Sequence, residues 1–179
     1  LALCEVWGIS RTPMREALKV LAAEGLITMK VRRGAYVTEV SVTDVTEVYQ
    51  LLALLESDAA GEVALNVGAA GRAELAELHQ RLESLVLERD AFFRANEHFH
   101  RRLLEMAGNR WRLQIVTDLR KVMKLNRHHS LLKAGRVEKS LAEHRALMTA
   151  IEAGNAEEAT LRMRQHFESG LEAAAPSTD

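Results

Sequence analysis

The run Ile9-Ser10-Arg11-Thr12-Pro13-Met14-Arg15-Glu16-Ala17-Leu18-Lys19-Val20-Leu21-Ala22-Ala23-Glu24-Gly25 decides how the N-terminal end of the chain folds. Met14, Ala17, Leu18, Leu21 and Ala22 recur at spacings of 3 and 1, the period of one helix face. Ser10 or Thr12 can accept a hydrogen bond from a free backbone N–H at the helix start. Pro13 is tolerated in the first turn, where an N–H has no intrahelical partner. Gly25 ends the helix as a left-handed cap. Beyond it, Leu26-Ile27-Thr28-Met29 and Ala35-Tyr36-Val37-Thr38 flank the basic bend Val31-Arg32-Arg33-Gly34, which reads as a β-hairpin and as the one strand signal in the sequence.

The rest of the chain is helical in texture. Its two prolines are Pro13 and Pro176, and aromatic residues make up only 4%. Ser41-Val42-Thr43-Asp44 offers caps for a new helix, and Gly68, Gly71, Gly108, Gly135 and Gly154 punctuate the helix-period stretches after it. Six helices are expected, near residues 44–67, 71–89, 90–107, 110–133, 137–153 and 155–173. The fold class is therefore mainly α, with a helix-and-hairpin module over residues 1–41 and an all-α bundle over 42–175.

Across 179 residues, 24 Lys+Arg face 25 Asp+Glu, for a formal net charge of −1, so no global basic field argues for nucleic acid. Divided at residue 43, the head carries 6 basic against 4 acidic residues and the remainder 18 against 21. Placement matters more than the totals. Arg11, Arg15 and Lys19 recur every four residues, forming a cationic stripe opposite the apolar helix face, and Arg32 and Arg33 sit at the hairpin tip. That layout suits a winged helix-turn-helix: a helix for the major groove, with Ser10 and Thr12 at its start, and a wing for phosphate or the minor groove. A solvated structural face would show the same charges. No apolar run approaches the roughly 20 residues of a membrane span. The single Cys4 excludes an internal disulfide framework and fits a reducing cytoplasm. Because the first residue is Leu1 and no signal-peptide pattern is present, a start upstream of this sequence is expected.

The segment from Leu3 to Leu18, with Ser10-Arg11-Thr12-Pro13-Met14-Arg15-Glu16-Ala17-Leu18 at its centre, continues through Glu24-Gly25-Leu26 and Arg33-Gly34-Ala35-Tyr36-Val37. It resembles the DNA-binding domain of the GntR family of bacterial transcription regulators. The resemblance implies operator contacts for Arg11, Thr12 and Arg15 and close approach of Gly34 to DNA. Ser10 and Arg33 join them on charge and position. The family's domain begins with a further helix that would precede Leu1.

Seven histidines are present. His98 shares a face with Arg94, Arg101, Arg102 and Glu105 and reads as solvated; His128 and His129 lie in a basic run; His79 stands at the margin of the Leu75, Leu78, Leu82 stripe. The remaining three point inward: His100 with Phe93, Asn96, Leu103 and Ala107, His144 with Leu141, Met148 and Ile151, His166 with Ala159, Met163 and Gly170. A lone inward histidine is usually a hydrogen-bonded core residue. Three from three helices each need a polar partner, and one divalent metal would satisfy all of them, with Asn96 supplying an oxygen. There is no His-Glu-x-x-His, Glu97-x-x-His100 is the sole Glu-x-x-His, and no phosphate loop or activated nucleophile is present.

Glu97-His98-Phe99-His100-Arg101, Gly108-Asn109, Arg136, Ser140-Leu141-Ala142-Glu143-His144-Arg145-Ala146-Leu147, Ala150 to Asn155, Ala159 and His166 are together similar to the FCD effector domain found behind GntR heads. Six helices resemble its VanR-type branch. The resemblance implies a divalent metal, zinc or nickel, at Asn96, His100, His144 and His166, a small carboxylate effector, and a homodimer on a palindromic double-stranded operator. Two departures stand out. Asn96 replaces a usual Asp, and Leu52 stands where an acid-clamping arginine is common; Arg101 and Arg102, then Arg120, Lys124 and Arg127, are the substitute cations. The expected function is a cytoplasmic, effector-released repressor. The alternatives are an all-α metal-dependent enzyme or binding protein, and a regulator for which the metal itself is the signal.

Overall fold

In the computed structural model, which describes residues 2–38, 40–123 and 133–174, the chain separates into two units, Leu1–Val40 and Ser41–Asp179. The first contains α1 (Ala2–Trp7), α2 (Arg11–Ala23), β1 (Ile27–Lys30) and β2 (Gly34–Val37). Ser10 is the N-cap of α2, with extended backbone at φ −68° and ψ 160°, yet its side chain makes no capping bond. Pro13 is the third helical residue, so one of the two N–H groups an N-cap oxygen normally receives does not exist. At the other end Gly25, at φ +73°, closes a two-bond left-handed cap: its N–H donates to Ala22 O at 3.0 Å and that of Leu26 to Leu21 O at 3.0 Å.

The hairpin is antiparallel, pairing Ile27 with Val37, Thr28 with Tyr36, Met29 with Ala35 and Lys30 with Gly34. Arg32 at φ 61° and Gly34 at φ 102° turn the chain at its tip. No residue of α2 is fully buried. Met14, Leu18 and Ala22 of the expected inward face are half-covered, while Ala17 and Leu21 are exposed. Within this unit only α1 and the hairpin are available to cover them.

The second unit holds α3 (Val42–Asn66), α4 (Ala69–Ser84), α5 (Arg89–Met106), α6 (Arg110–Val122), α7 (Arg136–Glu152) and α8 (Ala156–Ala174). Ser41 starts α3 with a complete capping box: its Oγ accepts from Asp44 N at 3.1 Å, and its N–H donates to Asp44 Oδ2 at 3.0 Å. The hydrogen bonds from Ser41 hold the Asp44 carboxyl below its ordinary pKa. Asn109 caps α6, accepting from the N–H groups of Trp111 and Arg112, both at 3.1 Å.

Helix α3 lies along α8 and also meets α5, α6 and α7, which makes it the axis of the bundle. Small residues permit this: a Cβ on Gly61 would collide with Thr160 Oγ1 of α8, and one on Gly170 would stand 3.1 Å from Tyr49 Cε1. Leu52, Phe92, Phe99, Leu103, Leu147, Ile151 and Met163 fill the core. Truncating a buried phenylalanine such as Phe92 costs on the order of 3–5 kcal/mol.

Two boundaries differ from expectation. Helix α4 stops at Ser84 instead of continuing toward 89, because Leu85 leaves helical geometry and Leu87 is 91% exposed, off any apolar stripe. Helix α6 runs to Val122 with Met123 as its C-cap, and the remainder of the expected helix 110–133, with Lys124, Arg127, His128 and His129, lies outside the described residues. No helix among the described residues is long and apolar enough to cross a membrane.

Candidate functional site

The histidine phases place three imidazoles together. His100 on α5, His144 on α7 and His166 on α8 are all buried, with ring centroids 5.2 Å (100 to 144), 5.2 Å (100 to 166) and 4.8 Å (144 to 166) apart. One ligand atom from each lies within 4.8 Å of the others, close enough to be drawn onto one divalent ion. Asn96 is buried one turn before His100 on the same helix. Its Oδ1 and both ring nitrogens of His144 are buried atoms with no hydrogen-bond partner. Such atoms are costly when left unsatisfied, and a metal–ligand bond is one way to satisfy them, so the donor set fits a metal.

Around the imidazoles stands a shell that the sequence pattern does not reveal. His100 Nδ1 is 2.7 Å from Glu56 Oε2, and His166 Nδ1 is 2.7 Å from Glu143 Oε2. An ionised carboxylate only accepts, so each Nδ1 carries the proton and Nε2 keeps its lone pair for a ligand role. Each carboxylate is gripped in turn by an arginine. Arg120 of α6 donates through Nε and Nη2 to Glu56 at 2.7 Å each and through Nη1 to Glu97 at 2.8 Å; Arg136 donates to Glu143 at 3.1 and 3.2 Å.

Burial alone would raise the Glu143 pKa, but the hydrogen bond and charge of His166 and the Arg136 charge carry it below the ordinary value. For Arg120 burial works against the charge, and Glu56 and Glu97 outweigh it. His144 is pushed well below its ordinary value, first by burial and then by His166, His79, Arg136 and Arg120, so it is neutral and able to donate a lone pair.

Among the described substitute cations, Arg120 is the one wired to the triad, through Glu56, while Lys124 and Arg127 lie outside the described residues. Arg102 is engaged by Glu74, at 2.6 and 2.9 Å, and by Glu105. Arg101 is exposed, pairs with Glu105 at 2.9 Å, and borders a 430 Å³ cavity also lined by Phe93, Glu97, Leu113 and Arg120. Leu52 is fully buried. His98 is exposed, as its phase indicates, and His79 is half-buried with its ring parallel to that of His144, centroids 6.5 Å apart.

A sequence signal for Glu56 existed: an acid interrupting the apolar stripe Leu52, Ala59, Ala60 and Val63 at helical spacing. In the other unit Ser10, Arg11, Thr12, Arg15, Arg33 and Gly34 are all exposed, and Lys19 of the same stripe pairs with Glu16 at 2.8 Å.

Comparison with known proteins agrees with both halves. The family described as bacterial regulatory proteins, gntR family, matches residues 2–37, and the FCD domain matches residues 47–169. The HTH-type transcriptional regulator YdhC of Bacillus subtilis is 29% identical over 171 residues, spanning 92% of this chain and 75% of the relative. The HTH-type transcriptional repressor RspR of Escherichia coli K12 is 26% identical over 166 residues, 90% of this chain and 72% of the relative. Among solved structures, E. coli McbR/YncC superposes with a TM-score of 0.77 at 20% identity, covering 97% of this chain and 84% of that one, a likeness of fold. A winged helix-turn-helix followed by an all-helical effector domain, matched by families of regulators and not of enzymes, places this chain in the GntR family of bacterial transcription regulators with an FCD domain.

Proposed function

We propose that this protein is an effector-released repressor that binds a palindromic operator as a homodimer and senses a small organic acid at a divalent metal, zinc or nickel. His100, His144 and His166 hold the metal with Asn96, and the metal supplies a Lewis-acid site for the acid's carboxylate. One observation carries this reading: three buried imidazoles converge from three helices, with both nitrogens of His144 and Asn96 Oδ1 lacking hydrogen-bond partners. The proposed division of labour is a DNA-reading segment over 1–41 and an effector and dimerisation segment over 42–175, acting in the bacterial cytoplasm.

Helix α2 enters the major groove with Ser10, Arg11, Thr12 and Arg15, while Arg33 and Gly34 of the wing meet the backbone or minor groove. Arg101, exposed at the cavity it shares with Arg120, is the favoured partner for the acid; Arg120 is held by Glu56 and Glu97, and Arg102 by Glu74 and Glu105. Acid binding favours one packing of the helical units and so changes the spacing of the two recognition helices.

The test uses an operator selected from a random duplex library and gel-shift titration at fixed salt. Arg15→Ala is expected to weaken operator binding by about tenfold, consistent with losing roughly 1–3 kcal/mol from one base contact. Elemental analysis is expected to find about one zinc or nickel per chain, lost together with the response to hydroxy and dicarboxylic acids when His100, His144 and His166 are all alanine. A full acid response in the metal-free variant would overturn the reading.

A further inference from the structure

Two imidazoles of the triad have a carboxylate behind them, and the third does not. His100 leans on Glu56 and His166 on Glu143, each at 2.7 Å, whereas His144 is fully buried and neither of its nitrogens has a hydrogen-bond partner. A histidine that spends one nitrogen on a metal still has an N–H to satisfy with the other. Phe99 packs against the ring, with centroids 4.8 Å apart, and offers no acceptor. Across the seam between α4 and α7 stands His79, its ring parallel to that of His144 within 15° and its centroid 6.5 Å away. His79 Nε2 is itself a buried atom with no hydrogen-bond partner.

Two parallel rings therefore each carry a nitrogen left without a partner. One water making two hydrogen bonds of about 2.8 Å bridges nitrogens up to about 5.6 Å apart, and ring nitrogens about 1.1 Å from centroids 6.5 Å apart can come within that reach. In the tautomer protonated at Nδ1, His79 Nε2 has a lone pair to offer such a water.

We propose that His79 is the positioning residue of His144: through one bridging water its Nε2 holds the ring nitrogen of His144 that a metal does not use. The inference rests on the metal reading above. A neutral imidazole withdraws the N–H proton less strongly than a carboxylate, so His144 becomes the least electron-rich donor of the three.

The test compares full-length wild type, His79→Phe, which keeps a ring without nitrogens, and His79→Gln, which keeps a hydrogen-bonding end. Zinc affinity is measured by competition with a chromophoric chelator, and the tautomer of His144 by nitrogen NMR of the metal-free protein. Wild type is expected to show one His144 tautomer. His79→Phe is expected to bind zinc about tenfold more weakly and to show a mixture, with the metal-free melting temperature little changed. His79→Gln is expected to recover most of the affinity. Zinc binding by His79→Phe equal to wild type, or a Gln variant no better than Phe, would overturn the role of His79. Absence of zinc binding by wild type, judged against the triple alanine variant, would overturn the metal reading instead; the tautomer experiment then still reports whether His79 orients His144.

Discussion

Each inward-facing imidazole of α5 and α8 is the end of a relay in which a guanidinium fixes a carboxylate and the carboxylate fixes a ring nitrogen: Arg120 to Glu56 to His100, and Arg136 to Glu143 to His166. The relay suits two roles, orientation of the proposed metal site and mutual neutralisation of buried charge, and they separate experimentally. Glu56→Gln leaves Arg120 with Glu97 as its remaining carboxylate and is expected to destabilise the fold by about 3–5 kcal/mol, the cost of breaking a buried pair from one side. Adding Arg120→Met is expected to restore much of that stability in urea titrations but not zinc affinity, since His100 still lacks its acceptor. If the double variant regains zinc affinity as well, Glu56 is a charge partner of Arg120 and nothing more.

The way helices start and stop in this chain depends on whether a side chain finds a donor. Ser41 finds the N–H of Asp44 and completes a capping box, while Ser10, three residues before Pro13, does not. An uncapped Ser10 hydroxyl at the exposed start of α2 is consistent with the phosphate contact proposed for it. Between elements the tightest fit is α3 against α8 at Gly61. A methyl there collides with Thr160 Oγ1 and lies 3.3 Å from Ala156 O. Gly61→Ala is expected to destabilise by about 1–2 kcal/mol in thermal or urea unfolding, overpacking exceeding the roughly 1 kcal/mol gain in helix propensity. In a Thr160→Ala background the same substitution is expected to become neutral or stabilising; an equal loss in both backgrounds would place the strain on the Ala156 backbone.

At the scale of the whole molecule, the helical unit leaves an apolar surface around a pair of ion bridges. Arg112 of α6 donates to Asp58 at 2.8 Å and Glu62 at 2.5 Å on α3; one turn to either side of those acids lie exposed Leu54 and Leu65, and beside Arg112 are Trp111, 64% exposed, and Ile115. A large aromatic and aliphatic residues exposed along two helices are what a second copy of the chain would cover. Trp111→Glu is expected to shift the protein to monomer in sedimentation and to weaken binding to a two-half-site operator far more than to a single half-site. A dimer that survives the substitution would move the interface elsewhere. Net charge is consistent with the proposed dimer: a slightly basic head on an acidic body has little bulk attraction for DNA, so the proposal assigns affinity to two placed reading heads together.

Local and periodic features were legible in the chain: the Schellman end at Gly25, the hairpin with its cationic tip, the cap at Ser41, and the inward phase of His100, His144 and His166. Each depends on residues within one or two turns, where backbone sterics and helical period are decisive. The partners were not legible. Glu56 reaches His100 across 44 residues, Glu143 reaches His166 across 23, and His79 faces His144 across the α4–α7 seam. Which buried acid or ring meets which imidazole is set by the packing of α3 along α8 and of α4 along α7. No spacing within a single helix encodes that packing, and it alone distinguishes Arg120 and Arg136, which support the site, from Arg102, which holds α4 to α5.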